Sequence, residues 1–158
     1  PLEANKALVW LTGSLYGHDM SNIYTILPWF LITIPIIILL SYQLDVLNLG
    51  DAVATALGLK VKTIKMILLI LAVILAGSAI SVVGGISFLG LIAPHIARQL
   101  IGNKTLHVII MSGLIGAILL TFGDGLARGI HPPLDIPVGV IIAIIGAPYF
   151  LILLRRMK

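Results

Sequence analysis

The residues best placed to do something other than fill space lie in one run, Gly84-Gly85-Ile86-Ser87-Phe88-Leu89-Gly90-Leu91-Ile92-Ala93-Pro94-His95-Ile96-Ala97-Arg98. Adjacent glycines weaken a helix interior and permit close backbone approach, and Pro94 has no amide hydrogen to donate. The run therefore reads as a broken helix with freed amide and carbonyl groups. In an apolar surrounding, such backbone survives only when it is buried in protein or lines a watery cavity. Two readings follow: a lining or gate for a passage, as in transporters with discontinuous helices, or a kink whose glycines admit a neighbouring helix. The candidate passage residues are Gly84, Gly85, Ser87, Gly90, Pro94 and His95.

Other polar groups carry less. Asp124 and Arg128 are four residues apart, so they share a helical face and pair there; a structural ion pair is preferred over a functional charge. His95 reads as a satisfied helix-end histidine. His18, His107 and His131 show no ligand spacing, and Cys is absent, so no metal site, disulfide or thiol nucleophile is expected. No phosphate-binding loop of the Walker type occurs, and no cofactor is expected. An intramembrane enzyme built on His95, Asp124 and His131 is a distant alternative without supporting spacing.

The elements that must hold these groups are apolar. Charged residues make up 10% of the 158-residue chain and apolar residues 59%, against about 25% charged in ordinary soluble domains; mean hydropathy is +1.17. A bilayer core of about 30 Å is crossed by about 20 helical residues. Apolar spans are predicted near Ile23–Tyr42, Ile64–Val83, His107–Ile130 and Ile136–Leu154, with a shorter piece over Ile86–Ile101 that has to tilt or be sheltered. Pro28 and Pro35 lie inside the first span, which membrane helices tolerate. Trp10, Tyr16, Tyr24 and Trp29 suit the membrane interface. The predicted fold is all-α: a polytopic bundle of about four to five spans, one of them interrupted at Gly84-Gly85, forming a single membrane domain over 1–158. His131-Pro132-Pro133-Leu134-Asp135 reads as a rigid connector, and residues 43–65 as two short surface helices punctuated by Gly50 and Gly58.

The formal net charge of +4 is topogenic rather than a nucleic-acid signal. If the 43–65 loop, the 98–107 turn and the C-terminus share a side, it holds Lys60, Lys62, Lys65, Arg98, Lys104, Arg155, Arg156 and Lys158, leaving Lys6 and Arg128 opposite. Positive residues accumulate on the cytoplasmic side, so these three elements are expected there, in a multi-pass protein of the cell membrane. The N-terminal residues lack the pattern of a signal peptide, and without an initiator Met the chain is expected to begin inside a longer protein.

The run Gly84–Gly102 (GGISFLGLIAPHIARQLIG) resembles the permease subunits of ATP-binding cassette (ABC) importers for iron–siderophore complexes, haem and cobalamin. Three further stretches agree in order: Ala7–Leu15 (ALVWLTGSL), Leu47–Leu59 (LNLGDAVATALGL) and Asp124–Leu154, with its Pro-Val-Gly and Gly-Ala-Pro-x-Phe elements. Asp51 and Asp135 stand where Glu is usual in that family, and Gly125 replaces a larger apolar residue. The resemblance implies the second half of a ten-helix permease that carries a ferric siderophore or related chelate and is not itself an enzyme. It also implies a second permease subunit, cytoplasmic ATP-binding subunits, an extracytoplasmic binding protein and surrounding lipid as partners. Residues 43–63 become a coupling segment that docks on the ATPase through Leu49, Gly50, Asp51, Ala54, Leu57 and Gly58, with small residues for close docking and Asp51 capping or pairing. The competing reading of that segment is an amphipathic loop on the headgroups. The competing reading of the chain is a truncated assembly fragment that does not transport.

Overall fold

The computed structural model describes residues 11–15, 17–130 and 136–156. They form seven helices: α1 Met20–Leu39, α2 Ser41–Leu47, α3 Asp51–Ala56, α4 Val61–Val83, α5 Leu89–Ile101, α6 Thr105–Ile130 and α7 Val138–Arg156. The all-α expectation holds. The Pro-Pro connector at 131–135, Trp10 and Tyr16 lie outside the described residues.

Three helices are long and apolar enough to cross a bilayer: α1, α4 and α6. Only 6% of the apolar window is buried in α1 and in α4, so these rods are not the core of a water-soluble domain. Hydroxyls along them turn back on their own helix: Thr25 donates to the Ser21 carbonyl, Thr33 to Trp29 and Thr121 to Ala117, which keeps a lone donor satisfied in lipid. Helix α1 begins three residues earlier than the hydropathy predicts. Trp29 therefore sits about 14 Å along a helix of about 30 Å, near its middle; the interfacial expectation suits Tyr24 and not Trp29.

The short piece differs most. Residues 84–87 are not helical, and α5 has 13 residues, about 20 Å. It cannot cross alone. Helix α5 packs chiefly along α6, and α6 along α7, while α1 pairs with α4; the main helix–helix bridge between the pair and the trio is α2 against α6.

At the end opposite that bridge, three backbones meet. The Ser14 amide donates to the Val83 carbonyl at 3.0 Å, and the Gly139 amide donates to the Gly13 carbonyl at 3.2 Å. A methyl on Gly139 would run into the Thr12 carbonyl, and one on Gly146 would lie 2.8 Å from Phe88 Cβ. These glycines are required by contact. Gly113, by contrast, has open space around it. Gly139→Ala and Gly146→Ala are each expected to cost about 1–3 kcal/mol, and Gly113→Ala none, read as thermal unfolding midpoints in detergent.

Candidate functional site

Two regions gather the polar groups. The first is the surface segment between α1 and α4. Leu40 turns the chain directly from α1 into α2, and Asn48-Leu49-Gly50 joins α2 to α3. Gly50 (φ +103°) and Gly58 (φ +83°) adopt left-handed backbone with nothing near a hypothetical Cβ, so conformation rather than space requires glycine. Leu49, Val53 and Leu57 are spaced by four residues and exposed at 64%, 44% and 63%, an apolar ridge turned away from the protein. Asp51 opens α3, and its carboxylate receives Lys65 Nζ at 2.6 and 2.7 Å. It pairs and does not cap. Ala54 has no exposed surface, so its small side chain lets α3 lie close to the protein.

Asp45 in α2 carries a contact that sequence pattern did not single out. Its Oδ1 accepts the Thr105 amide at 2.9 Å across a separation of 60 residues, and Asn48 Nδ2 reaches Thr105 Oγ1 at 3.5 Å. Thr105 is the first residue of α6, whose leading amides have no intrahelical partner. The Thr105 hydroxyl and amide hold the Asp45 carboxyl below its ordinary 3.8 against the opposing effect of burial, with lesser help from the charges of Lys104 and His107. Asp45, Asn48, Thr105, Asn103 and Arg98 line one side of a groove of 850 Å³ walled otherwise by apolar side chains including Leu68 and Val108. No local pattern announces Asp45; only the fold brings it to Thr105.

The second region is the break. Gly84 is buried and Gly85 half-buried, with a Cβ on Gly85 falling 3.2 Å from the Leu11 carbonyl. Ser87 and Gly90 are exposed. Phe88 has φ +66°, the one positive-φ non-glycine among the described residues, in a region costly for a bulky side chain. His95 is half-buried: its Nε2 lies 2.9 Å from Gln99 Nε2, and its ring meets Tyr149 edge-on at 6.0 Å. Pro94 lines the same groove as Arg98. The six passage candidates thus separate into two covered by protein, Gly84 and Gly85, two open, and two on the flank of α5. On α6, Arg128 Nε lies 2.8 Å from Asp124 Oδ2. Among the described residues no group of three His, Asp or Glu could hold a metal ion.

Comparison with known proteins places this architecture. The FecCD transport family model matches residues 1–156. The chain belongs to the FecCD transport family. It is 50% identical over 155 residues to the Fe(3+)-citrate import system permease protein YfmE of Bacillus subtilis, covering 98% of this chain and 46% of that protein. It is 45% identical over 158 residues to the Fe(3+) dicitrate transport system permease protein FecD of Escherichia coli, covering 50% of it. A chain from a solved inward-facing metal-chelate type ABC transporter superposes with a TM-score of 0.88 at 29% identity, over 96% of this chain and 50% of that one. The chain therefore spans about half the length of the relatives it matches. As a FecCD family member it is an integral membrane protein, and its relatives are transport permeases, not enzymes.

Because both partners of the Asp51–Lys65 pair are more than half exposed, the FecCD chain is expected to lose under about 1 kcal/mol of stability in Lys65→Ala, measured by thermal unfolding. Asp45 behaves differently with pH. A carboxyl depressed on folding stabilises above its unfolded value, and that contribution disappears as the pH falls through the folded value. The unfolding midpoint of Asp45→Ala should lie below wild type at neutral pH, and the gap should close as the pH drops below 3.8.

Proposed function

We propose that this chain is the C-terminal half of the permease of an ATP-driven importer that moves a ferric citrate, siderophore or related iron chelate across the cytoplasmic membrane. The observation that carries the reading is the continuous match to the FecCD family from residue 1 to 156, with relatives named for Fe(3+)-citrate and iron(3+)-hydroxamate import. The whole transporter would add a second permease subunit, ATP-binding subunits below and a substrate-binding protein above.

In this reading the 43–63 segment is the coupling element. The ridge of Leu49, Val53 and Leu57 offers an apolar surface to a groove on the ATPase, Gly50 and Gly58 fix its turns, and Asp51 with Lys65 braces α3 against the first turn of α4. The open face at Ser87 and Gly90 is where the passage would run, with Pro94 and His95 flanking it. Gly84 and Gly85 shape the break from behind. Apolar and small groups here suit a bulky chelate that must slip through without a high-affinity stop. The Asp124–Arg128 pair braces the far end of α6. Alternating access is a shift between inward-open and outward-open populations that ATP binding to the partner biases.

Sidedness follows from charge. Asp45, Asn48, Lys65, Arg98 and Lys104 cluster at the end of the bundle away from Ser14 and Gly139, and positive-inside placement makes that end cytoplasmic.

Two measurements test the proposal. Gly50→Trp and Asp51→Lys are expected to abolish ATPase assembly and radioactive iron-citrate uptake while membrane insertion is retained; unchanged uptake would remove the coupling assignment. Cysteine substituted for Lys60 or Lys104 should be labelled from the cytoplasmic side only, and cysteine at Asp19 from outside only. Labelling of 60 and 104 from opposite faces would refute the topology.

A further inference from the structure

We propose that Asp45 is a positioning residue for transport: its carboxylate, bonded to the first amide of α6, is the strut through which displacement of the coupling segment reaches the helices around the break. The inference rests on the coupling reading above and goes beyond it, because Asp45 lies outside the exposed ridge that would meet an ATPase.

The mechanical argument begins with how the bundle is joined. The α1/α4 pair and the α5/α6/α7 trio are bridged chiefly by α2 against α6. Within that bridge the polar contacts converge on a single residue, Thr105, which receives Asp45 on its amide and Asn48 on its hydroxyl. Val46 and Val108 are both buried nearby in sequence, one on each helix of the bridge. Asp45 and Asn48 precede Leu49 and Gly50, so a load on the ridge is taken up within one helical turn by the residues that hold Thr105.

The bond is also stronger than its exposure suggests. A carboxylate on a helix N-terminal amide joins an ionised acceptor to the positive end of the helix. Lys104 takes the cap position, since its carbonyl accepts the Val108 amide, but a lysine side chain offers no acceptor for the leading amides. Asp45 supplies that acceptor from another element. Helix α6 is 26 residues long and packs along α5, whose own N-terminus is Phe88 and the break. A shift of Thr105 along the helix axis is therefore transmitted to the wall of α5.

Competing explanations make different predictions. If Asp45 only fills space, Leu, which branches in the same way, replaces it and Asn has no special merit. If it acts as an acceptor, Asn retains most of the function, because an amide oxygen accepts the same bond and Asn ranks with Asp as a cap. The donors can be removed from the other side: proline is tolerated at the first helical position, so Thr105→Pro keeps α6 and deletes the amide hydrogen together with the hydroxyl that Asn48 reaches.

The experiment uses the full permease with its ATPase subunits and binding protein in proteoliposomes, and reads iron-citrate uptake per ATP hydrolysed. Asp45→Leu and Thr105→Pro are each expected to lower that ratio about five-fold, the loss of one cap, with the ATPase still bound. Asp45→Asn should stay within about two-fold. The double variant should be no worse than either single one, whereas independent effects would multiply to about twenty-five-fold. An unchanged ratio in Asp45→Leu, an Asn variant as poor as Leu, or a multiplied loss in the double variant overturns the proposal; so does loss of ATPase binding in Asp45→Leu, which would make Asp45 part of the docking surface. If Asp45→Leu does not insert, Thr105→Pro decides alone, and an unchanged ratio there is the overturning result. Gly50→Trp measured in parallel keeps the two failures apart: retained assembly and uptake in that variant defeats the coupling reading on which the strut rests, whereas loss in Gly50→Trp with an unchanged ratio in Asp45→Leu defeats the strut alone.

Discussion

Backbone that leaves the helix inside a membrane has to find its hydrogen bonds in other protein, because lipid offers none. The chain leaves the helix at Gly84–Ser87, and the rest of the architecture is arranged around that exit. Val83 loses its helical successor and its carbonyl takes the Ser14 amide; Gly13, having brought Ser14 there, gives its own carbonyl to Gly139. One strand of irregular chain thus ties the end of α4 to the beginning of α7. The tie depends on close approach, and Gly13, Gly85 and Gly139 are glycines where a Cβ would meet a neighbouring segment. Phe88 accepts an unfavourable left-handed conformation just beyond, with its Cβ seated against Gly146.

This gives the two ends of the bundle different characters. The end at Gly13 is held by backbone bonds and glycine contacts that tolerate little displacement. The other end is held by side chains: Asp45 and Asn48 on Thr105, Lys65 on Asp51. The exposed Lys65–Asp51 pair gives way at small energetic cost, whereas the Asp45 carboxylate holds the first amide of α6; the ridge of Leu49, Val53 and Leu57 projects from this end. In the proposed coupling, a push on the ridge would be taken up by Asp45 and Thr105 at this end while the Gly13 interlock holds the other.

Much of this was legible in the chain itself. The spans could be read because runs such as Ile64–Val83 admit no soluble interpretation, and the two surface helices because Gly50 and Gly58 interrupt an amphipathic pattern. The break could be read from Gly84-Gly85 and Pro94. What could not be read is what fills the break. Gly13-Ser14 looks like the start of a loop after a helix, and nothing local in it points to Val83 or Gly139. The burial of Ala54 against its own chain was hidden for a related reason: smallness signals close approach, but sequence does not say which surface approaches. Asp45 was invisible because its partner is an ordinary backbone amide sixty residues away, a group every position possesses. Asp124 and Arg128, by contrast, are joined by helical spacing alone, and the pair forms as that spacing requires.

The interlock at Gly13 is the claim on which the rest depends, and amide hydrogen exchange measures it directly. In the membrane-embedded protein, the Ser14 and Gly139 amides should exchange as slowly as those in the middle of α4, and in the proposed importer they should stay slow when nucleotide is bound. Exchange at those two amides as fast as at the exposed His18, in either condition, would contradict the account.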